Sequence, residues 1–256
     1  MKPRPSDATV AGRSALAAGA PRIAVIVPAR DEEELIGRCL ASIVRAAANV
    51  QCATEIIVVL NRCTDRTGAI ATSFGARCVD EPRRCLAAVR NSGVRAARAP
   101  LLVTIDADSE MSANALSEVV GHLDSGRYVG GGSLIWPERW SLGIAVSGLA
   151  LLPYALWHRI SAGMFWTSRS AFDAIGGFDE SMVSVEDIDF ALRLKRYGKT
   201  RGQRFGTLLR ASITTSCRKF DRFGDWHLLR EPRLARALLT GKSREAADRY
   251  YYDFRR

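Results

Sequence analysis

The sequence predicts an α/β protein with a mostly parallel central sheet flanked by helices. Short apolar runs without polar alternation, such as LLVTI at residues 101–105, are typical of strands covered on both faces. These runs alternate with segments of helical periodicity, which indicates β-α-β units joined by right-handed crossovers. A chain of 256 residues with 47% hydrophobic content can bury a sizeable core. We therefore expect one principal domain.

The elements of the first half follow this alternation. They are, in order, a strand at residues 22–28 ended by Pro28, a helix carrying Leu35 and Leu40, a strand at 55–60 with a short helix after it, a short strand at 76–79, an arginine-rich helix at 83–97 and a strand at 101–105. Acidic residues enrich the first turn of the first helix, where the helix dipole favours them.

Two carboxylates, Asp106 and Asp108, follow the buried strand at 101–105. Open α/β sheets bind ligands at the carboxyl edge of the strands, so this position favours a divalent cation held by oxygen ligands. An equally strong interpretation is that one of the two caps the helix that begins near Ser112. The pattern alone leaves both open.

The second half contains eighteen residues without a charge, WSLGIAVSGLALLPYALW at 140–157. This length makes the segment a transmembrane candidate. A single crossing would, however, place Asp106 and the acidic cluster at Glu186 on opposite sides of the bilayer. We therefore predict a buried or interfacial helix kinked at Pro153.

The charge of the chain is unevenly distributed. The net charge is +10, and residues 199–256 contain fifteen Lys or Arg against six Asp or Glu. Such a segment could contact nucleic acid, anionic lipid or a diphosphate, or form a solvated helix face. Residues 1–20 are predicted to be a flexible tail. The six cysteines form no C-x-x-C pair, which favours neither zinc nor a disulfide framework and indicates a reduced, cytoplasmic setting.

Four segments carry a family resemblance. In this order and spacing, the chain resembles the family 2 glycosyltransferases of GT-A fold over residues 22–200, through VIVPARDEEELIGRCLASI, AAVRNSGVRAA, LLVTIDADSE and AIGGFDESMVSVEDIDFALRLKRYG. The resemblance implies a nucleotide-diphospho-sugar donor, a Mg²⁺ or Mn²⁺ ion and an inverting transfer to an acceptor hydroxyl.

The resemblance also implies roles on the donor side. Asp108 is the expected direct metal ligand, and Asp106 orients the ribose or the water shell of the metal. Arg90 lies near the nucleotide, although its position also suits a solvated helix arginine. The loop that cups the base and ribose is expected to contain Pro28, Ala29, Arg30 and Glu32. Asn61 stands where the family commonly has an acid, which leaves the base of the donor open because an amide both donates and accepts hydrogen bonds.

On the acceptor side, Asp187 matches the general base of the family. Glu186 is expected to shape the acceptor pocket, and Trp166 to offer a flat apolar face to the acceptor. Trp166 and Phe190 are expected beside Asp187. By themselves, Asp187 and Asp189 equally suit the acidic first turn of a helix. Basic residues after the last predicted strand, Arg218, Lys219 and His227, either close on the diphosphate or lie on the surface.

These expectations define the predicted organisation. A GT-A domain spans residues 21–220, with a nucleotide-sugar half at 21–135 and an acceptor half at 136–220, and a basic helical extension spans 221–256. The expected acceptor includes lipid-linked molecules, with peripheral membrane contact and no nucleic acid. One alternative is a sugar-1-phosphate nucleotidyltransferase, but the glycine-rich loop expected of that class is missing from VPARDEEEL. Another is a basic nucleic-acid-binding protein, but nucleic-acid binding does not explain the acidic residues Asp106, Asp108, Glu186 and Asp187.

Overall fold

The computed structural model describes residues 19–182 and 185–226. Most of the predicted tail, residues 1–18, and most of the predicted extension, residues 227–256 with His227, lie outside the described residues. The strands are β1 Ile23–Ala29, β2 Thr54–Leu60, β3 Arg77–Asp80, β4 Leu101–Ile105, β5 Ser109–Met111, β6 Tyr128–Pro137, β7 Met164–Ser168 and β8 Arg204–Thr215. The helices are α1 Ile36–Ala48, α2 Thr67–Ser73, α3 Leu86–Ala96, α4 Ala115–Asp124, α5 Leu142–His158, α6 Arg169–Ala174, α7 Glu186–Thr200 and α8 Arg218–Phe223.

The described strands form one sheet in the order β3-β2-β1-β4-β7-β6-β8-β5. The first four strands of that order are parallel, as the alternation of strands and helices predicts. Their carboxyl ends meet at one edge of the sheet, which we call the carboxyl edge. The α/β class is confirmed.

The other half of the sheet is mixed. β6 and β8 are parallel to each other, but β7 runs antiparallel to both β4 and β6, and β5 antiparallel to β8. The connection from β6 to β7 leaves and re-enters the sheet at the same edge, so β7 has to run back through the sheet. The expectation of a mostly parallel sheet therefore holds best in the first half.

The core consists of two apolar layers, one on each face of the sheet. Helices α1, α2 and α4 cover one layer, which includes Ile36, Leu40 and Leu116. Helices α3, α6 and α7 cover the other, which includes Phe178 and Phe190. A fully buried side chain of this size contributes about 1.5–3 kcal/mol. Strands covered on both faces explain why the apolar runs of the sequence lack alternation.

Glycines at the start of β6 allow the second half of the sheet to pack tightly. A Cβ atom on Gly131 would lie 2.0 Å from the carbonyl oxygen of Gly206 and 2.6 Å from the Trp166 ring. The register of β6 against β8 also shifts at two points along this strand. The glycines therefore serve the close approach of a neighbouring strand and of one buried ring.

Helix α5 differs from the other helices in what it exposes. It contains Pro153, and Leu142, Leu149 and Leu152 on it are exposed, as is Trp157 near its end. Of the two expectations for this helix, burial is wrong for these exposed side chains, and a position at an interface stays a prediction. Among the described residues, no helix is long and apolar enough to cross a membrane.

Candidate active site

The two acids after β4 lie at the carboxyl edge. Asp106 follows β4 directly, and Asp108 lies in the turn to β5. The turn is fixed by the backbone, because Ser109 N–H donates to the Asp106 carbonyl and Ser216 N–H donates to the Asp108 carbonyl. Neither carboxylate caps α4, whose N-cap residue is Asn114. The helix-capping interpretation is therefore wrong, and both carboxylates remain partly exposed at the edge.

Arg90 connects this edge to the second acidic segment. Its guanidinium Nη2 lies 2.9 Å from Asp106 Oδ1, and its Nη1 lies 2.6 Å from Glu186 Oε1. The side chain is only 7% exposed, so the interpretation of Arg90 as a solvated helix arginine is wrong. One buried cation thus holds together two carboxylates that are 80 positions apart in the chain.

The charges of this cluster shift the pKa values of its buried members. Burial by itself lowers the pKa of Arg90, but the carboxylates of Asp106, Glu186 and Asp187 outweigh it and hold that pKa above its ordinary value. Burial raises the pKa of Glu186, with Arg90 opposing and the Asp187 charge adding to the rise. Arg90 is therefore a permanent cation that offsets the crowding of negative charge at this edge.

Glu186 and Asp187 form the first turn of α7. The preceding residue, Val185, has a left-handed backbone with φ of 56° and makes no side-chain cap. Glu186 is buried and Asp187 is half-buried. The Asp187 Oδ1 accepts a hydrogen bond from Ile188 N–H at 2.8 Å. The start of α7 thus directs Glu186 to Arg90 and leaves Asp187 accessible beside it.

Asn91, next to Arg90, fixes the segment that leads to α7. Its side-chain amide donates to the Phe178 carbonyl at 2.8 Å, and its Oδ1 accepts from Phe178 N–H at 2.9 Å. The sequence interpretation missed this residue, although it lies inside the segment VRNSG. Asn91 and Phe178 are 87 positions apart, and the sequence does not show that the segments that contain them are in contact.

Arg218, at the start of α8, reaches back across the edge. Its Nη2 lies 2.9 Å from Glu32 Oε2 and 3.6 Å from Asp108 Oδ2. Arg218 therefore contacts the predicted nucleotide loop and the predicted metal ligand together, which argues against a purely surface role. The adjacent Lys219 is in α8 as well.

The predicted nucleotide loop follows β1. Pro28 lies within β1, which ends one residue later at Ala29, so the expectation that Pro28 ends the strand is wrong. Pro28 pairs with Val59 of β2, whereas the pairing of β1 with β4 stops at Ile26. Arg30 is partly exposed, and Glu32 is buried. The missing N–H of Pro28 is tolerated because β1 has a strand partner on only one side there.

The loops after β1 and β2 interlock. Glu32 N–H donates to Thr67 Oγ1, and Thr64 N–H donates to Asp31 Oδ1. Asn61 is buried, and its amide nitrogen donates to the carbonyls of Glu81 and Arg83. The amide group of Asn61 thus fixes the chain after β3, in addition to any role toward a nucleotide.

The ligand atoms of Asp31, Cys63 and Asp65 come within 4.8 Å of one another in these loops. The sequence interpretation did not find this group, which only the adjacency of two loops brings together. Its atoms already serve the fold, since Asp65 accepts from Glu33 N–H and Cys63 Sγ donates to the Ala29 carbonyl. Burial raises the pKa of the Cys63 thiol, which disfavours the thiolate that binds metals.

Cys39 lies beneath the acidic turn. Its thiol donates to the Asp106 carbonyl at 3.6 Å. Burial, assisted by the negative charges of Asp108 and Asp106, raises the pKa of Cys39 well above its ordinary value. The thiol therefore stays protonated and supports the turn without acting as a ligand or nucleophile.

The prediction that Trp166 faces the acceptor is wrong. Trp166 is 0% exposed, and its Nε1–H donates to the Gly132 carbonyl at 2.9 Å. β7 lies between β4 and β6 in the sheet, and the ring packs edge-on against His122 of α4. Trp166 and Phe190 also lie in opposite core layers, so Trp166 is not beside Asp187 with Phe190.

Comparison with known proteins identifies the family. The sequence profile described as Glycosyl transferase family 2 matches residues 24–176, which is more than half of the chain. An uncharacterized glycosyltransferase of Mycobacterium tuberculosis is 36% identical over 104 residues, covering 41% of this chain and 44% of that protein. The matched part thus spans less than half of the length of that relative.

Solved structures share the fold. Staphylococcus aureus TarS in complex with UDP-GlcNAc superposes with a TM-score of 0.56 at 16% identity, covering 76% of this chain and 58% of that one. The mannosyltransferase PcManGT of Pyrobaculum calidifontis, in complex with GDP-Man and Mn²⁺, gives a TM-score of 0.59 at 18% identity, covering 88% and 70%. The GT-A fold expected from the sequence is confirmed.

Proposed function

Because the chain belongs to the family 2 glycosyltransferases, we propose that it transfers a sugar from a nucleotide-diphospho-sugar to an acceptor hydroxyl with inversion. The observation that carries the proposal is the set of carboxylates at the carboxyl edge, joined by buried Arg90. In this proposal residues 21–135 bind the donor and residues 136–220 the acceptor. The Arg90 contacts then couple the two halves.

The acceptor hydroxyl is a poor nucleophile until its proton is removed. Asp187 accepts that proton while the acceptor oxygen bonds to the anomeric carbon of the sugar. The bond from that carbon to the diphosphate breaks, and its electron pair leaves with the nucleoside diphosphate. A positioned base of this kind contributes about 10²- to 10⁴-fold to the rate. Attack opposite the leaving group inverts the anomeric carbon.

Glu186 has a different role from Asp187 in this proposal. Its carboxylate is committed to Arg90, and burial disfavours its charge. It therefore forms the wall of the acceptor pocket and positions α7. Arg218 supplies positive charge beside Asp108, where the diphosphate would accumulate negative charge as it leaves.

The carboxylates of Asp108 and Asp106 fit a divalent cation. Both are oxygen donors, both are partly exposed at the edge, and no sulfur ligand is available from protonated Cys39. Bound Mg²⁺ or Mn²⁺ supplies Lewis-acid stabilisation of the diphosphate. We propose Asp108 as the direct ligand and Asp106, shared with Arg90, as the residue that orients the donor.

The proposal includes donors with either of two bases. The solved relatives include complexes with UDP-GlcNAc and with GDP-Man, that is, with two different bases. The base and ribose are proposed to bind between the loops after β1 and β2, against Pro28, Ala29, Arg30, Glu32 and Asn61. The six free cysteines suit the reducing, cytoplasmic compartment that this proposal includes.

The test is nucleotide binding by calorimetry, with UDP and GDP each titrated in Mn²⁺ and in EDTA. We expect one nucleotide to bind more tightly with Mn²⁺, and Asp108→Asn to abolish that metal dependence by removing a charged ligand. Asp124→Asn is the matched control, because Asp124 pairs with Arg22 away from the carboxyl edge. Metal-dependent binding that persists in Asp108→Asn would contradict the metal assignment.

A further inference from the structure

Helix α5 exposes an apolar surface. It comprises Leu142, Leu149, Leu152 and Trp157 of the helix together with Trp140, which lies two residues before the helix begins, and Trp157 is 85% exposed. Burial on this helix is seen near its beginning, at Gly143, Ile144 and Ser147. Large apolar side chains grouped in this way on one exposed helix mark an interaction site. We call these five residues the α5 surface.

The α5 surface lies at the carboxyl edge. The helix begins after the end of β6 at Pro137 and ends before the start of β7 at Met164. Met164 pairs with Ile105, the residue directly before Asp106. Both ends of α5 are therefore tied to the edge that holds the candidate active site.

The beginning of α5 is anchored to the segment after β8. Arg139 pairs with Asp221 at 2.5 Å and with Asp225 at 2.8 Å. Gly143 packs so closely on Asp225 that a Cβ atom there would lie 2.7 Å from its carbonyl oxygen. These contacts hold Asp225 against the beginning of α5, and the next residue, Trp226, is exposed.

Positive charge adjoins the α5 surface in the chain. Exposed Arg159 follows α5 directly. In the sequence, Trp226 is followed by residues 227–256, which contain eight Lys or Arg against four Asp or Glu. An apolar surface with a basic continuation complements an anionic bilayer. A second copy of a chain of net charge +10 would instead bring like charges together.

We propose that the α5 surface docks on an anionic lipid bilayer. Leucine side chains insert shallowly, tryptophans lie at the headgroup level, and basic residues near the surface are attracted to the anionic headgroups. Docking places the carboxyl edge at the bilayer, so the acceptor is a lipid-borne hydroxyl. The acceptor statement rests on the proposed function, whereas the docking statement does not.

The experiment is vesicle flotation of the full chain in low salt. One set of vesicles contains phosphatidylcholine with phosphatidylglycerol, and the other contains phosphatidylcholine alone. We expect flotation with the anionic vesicles, and a loss of at least about tenfold in bound protein for Leu149→Ser with Trp157→Ser. Leu209→Ser is the matched control, because Leu209 is 74% exposed in the middle of β8, away from α5.

The outcomes separate the explanations. Equal flotation of the double variant and the parent would overturn the proposal. The proposal would also be overturned if the parent protein did not float but formed a dimer in light scattering, and if Leu149→Ser with Trp157→Ser dissociated that dimer. Nucleotide binding of the same variants, measured without vesicles, reports on the proposed function separately. Loss of flotation with unchanged nucleotide binding supports the bilayer surface.

Discussion

Helices α7 and α5 both reach the carboxyl edge, but they meet it in opposite ways. α7 buries Glu186, Phe190 and Leu194, and the charge of Glu186 is met inside the protein by Arg90. α5 leaves Leu149 and Trp157 exposed. The apolar helix is thus exposed, while a helix that begins with three acids is anchored in the core.

The difference indicates two kinds of function. Burying a carboxylate is costly unless it is paired, so the Arg90 contacts hold the start of α7 in one position, as a catalytic group requires. Exposed apolar side chains do not stabilise the fold through the hydrophobic effect. They can instead stabilise a complex with a partner that covers them. This contrast is the reason that we propose catalysis at α7 and docking at α5.

The largest loss of stability should come from Arg90→Ala, which removes the contact that anchors α7. The substitution leaves Glu186 buried without its cation, and removing one partner of a buried pair costs about 3–5 kcal/mol. The free energy of unfolding in urea measures this loss. Arg22→Ala is the control, since its ion pair with Asp124 is about half exposed and such pairs contribute about 1 kcal/mol or less.

If Arg90→Ala does not fold, Arg90→Lys gives the same information. Lysine keeps the charge but cannot bridge two carboxylates with a planar fork, so part of the stability should be lost. Equal losses for Arg90→Ala and Arg22→Ala would show that α7 is not anchored by this buried contact.

A smaller effect is expected from the titration of Glu186. Burial raises its pKa in the folded protein, so the protonated form favours folding. This contribution is complete below the ordinary pKa of a glutamate and is lost as the pH rises through the raised value. Glu186→Gln removes the titration but retains an acceptor for Arg90. The free energy of unfolding of Glu186→Gln, relative to the parent, should therefore improve as the pH rises through this window.

Urea unfolding of both proteins over that pH range is the measurement. A relative stability that moves in the other direction would mean that the attraction of Arg90 outweighs the burial of Glu186. In that case the pKa of Glu186 lies below its ordinary value, and the ion pair with Arg90 stabilises the start of α7.

The sequence predicted local features of the site well. The run LLVTI followed by Asp106 and Asp108 was enough to place two carboxylates at the carboxyl edge, because parallel strands end there. The acids in the first turn of α7 were equally visible in the sequence. The fold class followed from the alternation of apolar runs and helical segments.

Contacts between distant segments could not be predicted in this way. Arg90 and Glu186 are 96 positions apart, and no periodicity indicates that one neutralises the other. Trp166 was misplaced for a different reason. Its neighbours in the run MFWT are mainly apolar, which indicates a strand covered on both faces, and the aromatic ring was given a ligand role against that pattern.

The most direct test of the proposed general base is the rate of donor hydrolysis by Asp187→Asn, with water in place of the acceptor and with nucleotide sugars that carry the base selected by the binding experiment. Asn can still accept the Ile188 N–H bond, so the fold should be kept. We predict a fall in turnover of about 10²- to 10⁴-fold with unchanged donor affinity. Asp189→Asn, which removes the charge that pairs with Arg193, should remain close to the parent. Near-normal turnover by Asp187→Asn would contradict the proposal that Asp187 is the general base.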